Sequence, residues 1–148
     1  MKRHILLCVV GNTPQIITET IYALSRKKPP VEINELFVIT TTIGAEKIRS
    51  SLIEKGYLKR LIDDYHLPAI GFRPENIYII KSDGGMELPD IRSRADNESA
   101  GELITEVVKR LTSDPENILH CSLAGGRKTM GYYLGSALQL YGRRDDRL

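Results

Sequence analysis

The run SLAGGRKTM (122–130) sets two glycines, an arginine and a lysine between an apolar segment, NILHC (117–121), and an amphipathic one (130–142). That order reads as a strand, a tight turn and a helix. Gly125 and Gly126 allow positive φ and a close backbone approach. The start of a helix offers free N–H groups and a partial positive charge, so an anion is the natural guest. Arg127 can fork onto a phosphate and Lys128 can act as a point charge beside it.

The elements that must hold this turn follow from hydrophobic period. The run HILLCVVG (4–11) is continuously apolar, as a strand buried on both faces should be. Thr13 is then the expected N-cap and Pro14 the first helical residue, with Ile16, Ile17, Thr20, Ile21 and Leu24 facing inward. Residues 35–42 read as a second strand, 45–65 as a helix that Gly56 divides, and 76–82 as a third strand. A polar excursion (83–97) shows no period. From Ala100 to Leu111 the apolar spacing is helical, with Ser99 and Glu102 at capping-box spacing. Residues 117–123 form the fourth strand, and Met130, Tyr133, Leu134, Ala137, Leu138 and Tyr141 stripe the last helix. The pattern is α/β: one Rossmann-like domain over 1–148, an open, mainly parallel sheet with helices on both faces.

Ligands of such sheets bind beyond the carboxyl ends of the strands. Those ends carry Gly11, Asn12, Thr13, Pro14 and Gln15; Thr40, Thr41 and Thr42; Ser82 to Gly85; and Ser122, Leu123, Ala124, Gly125, Gly126, Arg127, Lys128 and Thr129. Nearly all are small, hydroxylic, amide-bearing or basic, which fits a phosphate-bearing ligand. The spacings of a Walker loop and of a G-x-G-x-x-G dinucleotide turn are both absent.

Charge and cysteine content narrow the class. The chain has 148 residues, a net charge of +2, 41% hydrophobic and 27% charged residues, typical of a globular domain. Five of the bases (Arg127, Lys128, Arg143, Arg144, Arg147) fall in 127–148 against Asp145 and Asp146. This favours a local anion site over a duplex nucleic-acid surface. Cys8 and Cys121 lie in apolar strands without metal spacing, so reduced core thiols of a cytoplasmic protein are expected. No apolar run is long enough for a membrane span, and no signal peptide is indicated.

The segments GNTPQIITETIYAL (11–24), DIRSRADN (90–97) and SLAGGRKTMGYYLGSALQLYGRRDDRL (122–148) resemble the CARF-type CRISPR-associated proteins, Rossmann-like sensors of cyclic oligoadenylates in type III CRISPR defence. The resemblance implies that Asn12 to Gln15 and Gly125 to Lys128 hold the phosphates and riboses of a ring of four or six adenylates. It also implies that Asp90, Arg92, Asp96 and Asn97 shape the side of that pocket. It further implies a homodimer with the ring on its two-fold axis, and further strands and any output domain outside these residues. An even-membered ring suits a dimer, which supplies two copies of one groove.

Some members of that class cleave the ring without metal or cofactor. Here Lys128 and Arg127 are the candidates for charge stabilisation, with Thr13 or Ser122 as hydroxyl partners. No histidine is placed as a base, and Asp83 and Glu87 sit without a metal-binding partner cluster. Two other readings stay open: a nucleotide-using transferase and a purely structural dimerisation module. The threonines at the end of strand two stand where a transferase of this fold would want a carboxylate.

Overall fold

The computed structural model describes residues 2–148. Its elements are β1 (Arg3–Val9), α1 (Gln15–Ser25), β2 (Glu35–Thr40), α2 (Thr42–Ile48), α3 (Tyr57–Asp64), β3 (Ile77–Ile79), α4 (Arg94–Ser113), β4 (Asn117–Ser122) and α5 (Lys128–Tyr141). The four strands form one all-parallel sheet in the order β3-β2-β1-β4. The fold is therefore the expected Rossmann-like open sheet. Among the described residues no helix is long and apolar enough to cross a membrane.

β1 is central because every one of its inner residues is apolar and both its edges are paired. Its side chains alternate between two cores. Ile5, Leu7 and Val9 join Phe37, Ile39, Leu119 and Cys121 under α4 and α5. Leu6, Cys8 and Val10 join Leu36 and Val38 under α1 and α2. Each fully buried aliphatic side chain contributes about 1.5–3 kcal/mol, so the doubly covered sheet is the main source of stability. Burial pushes the Cys8 thiol up to about 12. Burial likewise raises Cys121 above the usual thiol range. Both are free, buried thiols in their resting form.

Several boundaries differ from the sequence expectations. Thr41 and Thr42 do not extend β2: Thr41 caps α2, its hydroxyl accepting from the Gly44 amide at 3.2 Å. α2 runs on through a π-helical stretch (Arg49–Glu54) and ends at Gly56, whose φ of 71° divides it from α3. β3 is only three residues long, since the chain turns at Ser82–Met86 and Leu88 returns to bond Ile80 at 2.9 Å. The capping box of α4 is Ser93 with Asp96, two turns before the expected Ser99 and Glu102. Ser99 lies inside the helix and is buried.

The outer edge of β4 is met by the chain after α5. Arg147 exchanges backbone bonds with Leu119 and Cys121 at 2.8 and 2.9 Å. The Asp146 carboxylate, buried, accepts from the Leu119 amide at 2.8 Å and is forked by Arg143 at 3.0 Å. Arg143 also donates to the carbonyls of Asp114 and Asn117. Arg143 and Arg147 are thus spent on the flank of β4. The basic C-terminal excess seen in composition does not converge on the Gly-Gly-Arg-Lys turn.

His4 and His120 sit side by side on β1 and β4, with Nδ1 of the first 2.9 Å from Nε2 of the second. Burial first, and the neighbouring His4 second, pull the His120 imidazole down to about 4. Its folded value lies below its unfolded one, so the unfolded chain binds the extra proton first. Stability contributed by neutral His120 is present above pH ~6.5 and is lost as pH falls towards ~4, by roughly 3 kcal/mol. Thermal melts between pH 7 and 4.5 check this. Wild type should soften on acidification, and His120→Gln should flatten the slope; an unchanged slope in that variant refutes the assignment.

Candidate functional site

The sheet order reverses at β1: β2 lies on one side and β4, reached last, on the other. A crevice is left where two consecutive connections leave a parallel sheet in opposite directions. Here it opens between the end of β1 and the end of β4, with a volume of about 420 Å³.

One wall comes from β1 and α1. Val10 is pinned by its amide to Ile39 at 3.0 Å and by its carbonyl to the Thr40 hydroxyl at 2.6 Å. Gly11, Asn12, Thr13 and Ile16 follow it along the crevice. The structure moves the α1 cap one residue on: Pro14 is the cap, its carbonyl bonding Ile17, and the Thr13 side chain caps nothing. Thr13 is exposed and its hydroxyl has no hydrogen bond among the described residues, whereas Pro14 and Gln15 border a separate apolar groove between α1 and α3.

The facing wall is the glycine turn. A Cβ on Gly125 would stand 2.5 Å from the Val9 carbonyl oxygen, and Gly126 has a φ of +75°. Both glycines are thus demanded first by the fold, which lays the turn directly on β1. Gly11 faces Gly126 across the crevice mouth, and a Cβ there would stand 3.4 Å from the Gly126 Cα, close to ordinary contact. After this turn Arg127 takes an extended conformation and α5 begins with no side-chain cap. The Met130 amide bonds the Arg127 carbonyl at 2.9 Å, while the Lys128 and Thr129 amides at the start of α5 have no acceptor among the described residues and carry the partial positive charge of the helix end.

The third wall is Asp90 and Ile91, from the excursion after β3, and Met130 and Thr41 close the floor. Asp90 and Arg127 meet across the crevice in a two-pronged ion pair, with Nη2 at 2.8 and 3.0 Å from the two carboxylate oxygens. The Arg127 hydrogen bond, then the Ile91 amide, hold the Asp90 carboxyl below the usual carboxylate range. Arg92 stands 3.6 Å from the same carboxylate and is largely exposed.

The structure gathers Gly11, Asn12, Thr13, Thr41, Asp90, Ala124, Gly125, Gly126 and Arg127 in the crevice. It places others at its margins or in structural roles. Lys128 is exposed on the first turn of α5, with no ion pair among the described residues, and does not line the crevice. Ser122 accepts from the Ala124 amide at 3.4 Å. Leu123 is exposed, and Thr42 bonds the Leu88 carbonyl through its amide. Asp96 caps α4, accepting from the amides of Arg92 and Ser93. Asn97 accepts from the Thr129 hydroxyl at 2.6 Å, stapling α4 to α5. Among the described residues no three His, Cys, Asp or Glu side chains are grouped to hold a metal ion.

Sequence reasoning missed the apolar lining of Val10, Ile16, Ile91 and Met130. Ile91, the lone β-branched residue in a polar stretch, was the available signal. The Asp90–Arg127 pair had none, because no spacing rule connects positions on different elements.

A family model, CRISPR-associated protein NE0113, matches residues 13–148. The chain belongs to that family. The NE0113 match starts at Thr13 in the first crevice wall and runs through the Asp90 loop, the glycine turn and the Arg143–Asp146 clamp. A comparison with curated proteins finds no match. The protein is therefore CRISPR-associated, and the matched residues include every crevice-lining residue from Thr13 onward.

Proposed function

We propose that the crevice is half of a dimeric site for a cyclic oligoadenylate, and that the protein is a CRISPR sensor of that messenger. The observation that carries this reading is the convergence, at the reversal of the sheet, of an uncapped helix start, a glycine turn and Arg127. All three favour phosphate. The CRISPR-associated family and the resemblance to CARF-type sensors supply the ligand class. At about 420 Å³ the crevice is at the small end of ligand pockets, so a ring of four or six adenylates needs a second copy to close over it. A two-fold pair doubles each contact and matches an even ring.

The same site suits slow cleavage. The ribose 2′-oxygen attacks the adjacent phosphorus, the bond to the 5′-oxygen breaks, and a 2′,3′-cyclic phosphate and a 5′-hydroxyl result. The 2′-proton passes to solvent and water protonates the departing oxygen. Arg127 stabilises the added charge and the exposed Thr13 hydroxyl orients the ribose, whereas Lys128 and Ser122, which do not line the crevice, take no part in the step. No tuned acid–base pair lies in the crevice, so turnover is expected well below the ~10 s⁻¹ enzyme median.

Calorimetry with rings of three, four and six adenylates tests the reading. One ring per two chains, with an even ring preferred, is expected. Absence of binding by any ring refutes it. If cleavage occurs, it should persist in EDTA, give 2′,3′-cyclic ends, and stop when 2′-deoxyadenylate rings are used. EDTA-sensitive cleavage to 5′-phosphates would assign the chemistry elsewhere.

A further inference from the structure

The crevice already holds an anion of its own. Among the described residues Arg127 is the one cation lining it, and its Nη2 bonds both carboxylate oxygens of Asp90. The side chains lining the crevice therefore sum to no net charge, although its backbone favours a phosphate. Asp90 is not a loose surface acid that happens to lie near. The Ile91 amide holds its Oδ1 at 2.8 Å, and Ile91 itself is buried against the core. On the preceding side Leu88 is tied by backbone bonds to Ile80 and to Thr42. The carboxylate is presented to Arg127 from a fixed loop.

We infer that Asp90 is a specificity-determining residue: an internal competitor that occupies the phosphate position on Arg127 and must be displaced by the ligand. This rests on the reading of the crevice as a phosphate site. Each two-nitrogen edge of the guanidinium, Nε with Nη2 or Nη1 with Nη2, includes the nitrogen that Asp90 holds, so a phosphate can take only single bonds from Nε or Nη1 until the carboxylate is displaced. A ligand with one phosphate gains a contact only by breaking one of similar worth, and it also approaches a like charge. A ligand with several phosphates, held at two copies of the site, makes the exchange with its other contacts already in place. Asp90 thus excludes mononucleotides, which cells hold in abundance, by a repulsive element rather than by lost attraction. The Gly125–Gly126 turn and the α5 amides are unaffected by the exchange and supply the contacts that remain.

Asp90→Asn tests this, because an amide keeps an oxygen for the Ile91 N–H while losing the charge. Binding of inorganic pyrophosphate, adenosine 5′-monophosphate and cyclic tetra- and hexaadenylate is measured for wild type, Asp90→Asn, Arg127→Ala and the double variant. Asp90→Asn should bind pyrophosphate and the monophosphate about tenfold more tightly, the worth of one charge-assisted contact. The rings should gain less, so that discrimination falls. In the Arg127→Ala background the Asp90→Asn gain should vanish. Weaker or unchanged binding in Asp90→Asn overturns the inference, as does an equal gain without Arg127, which would reflect only a general field. If the anions behave as stated but neither protein binds any ring, the sensor assignment fails and the competitor stands. If rings bind and Asp90→Asn changes nothing, the sensor stands and the competitor fails.

Discussion

Asp146→Ala is expected to lower the stability of the fold by about 3–5 kcal/mol, the usual cost of removing one partner from a buried charge pair. The side chain of Asp146 is only 1% exposed. Its loss leaves the Leu119 and Arg143 amides and the Arg143 Nε without their acceptor. Burial alone would raise its pKa, but the bonds from Arg143 and Leu119 more than offset that and hold it below the usual value. With a depressed folded pKa, its stabilisation is present above pH ~4 and is lost as pH falls further. Asp146→Asn should lose less, since one acceptor oxygen survives. Denaturant melts measure both variants; a midpoint unchanged in Asp146→Ala would show that the clamp holds nothing.

Gly125→Ala should be the most damaging single change at the crevice. The added methyl meets the Val9 carbonyl oxygen at 2.5 Å, and that oxygen belongs to the central strand, which cannot give way. The turn must move instead, at a cost of about 1–3 kcal/mol, and it carries Arg127 and the α5 amides with it. Ligand binding is expected to fall well beyond tenfold. Gly135→Ala is the matched control: nothing lies within 4 Å of its Cβ position in the middle of α5. That change should stabilise by about 0.5–1 kcal/mol, as alanine does for glycine in a helix. Equal binding by the two variants would remove the turn from the site.

What could be read from the sequence depended on whether a signal was local. β1 was legible because its run ILLCV (5–9) is apolar without a break, and β4 because Ile118, Leu119 and Cys121 keep an apolar run despite His120. The glycine turn was legible because its neighbours on either side have opposite periods. The start of α4 was not, since its first two turns, Arg94–Ala100, are mostly polar and the helical period begins only where the core does. Two Ser-x-x-acid boxes lie six residues apart there, and the later one adjoined the apolar stripe. Thr41 was legible as a polar strand end but not as a cap, because a threonine serves either role. For the crevice, composition indicated an anion. Only tertiary structure revealed that the protein supplies a carboxylate to meet its own arginine. It also showed that Lys128, as prominent in sequence as Arg127, stands outside the cavity.

The order of the strands has a consequence for how the chain is made. β1 can pair with β2 as soon as residues 35–40 have emerged, but its other edge waits for β4, whose Asn117 lies 114 positions after Arg3. Until then the most apolar strand of the protein presents an open row of N–H and C=O groups, the kind of edge that recruits foreign strands. At about 5–20 residues per second on the ribosome, that exposure lasts several seconds. The crevice is completed later still, once the glycine turn and α5 have docked, so a nascent chain cannot take up its ligand. Assembly of the binding site and closure of the vulnerable edge are therefore the same late event in biosynthesis.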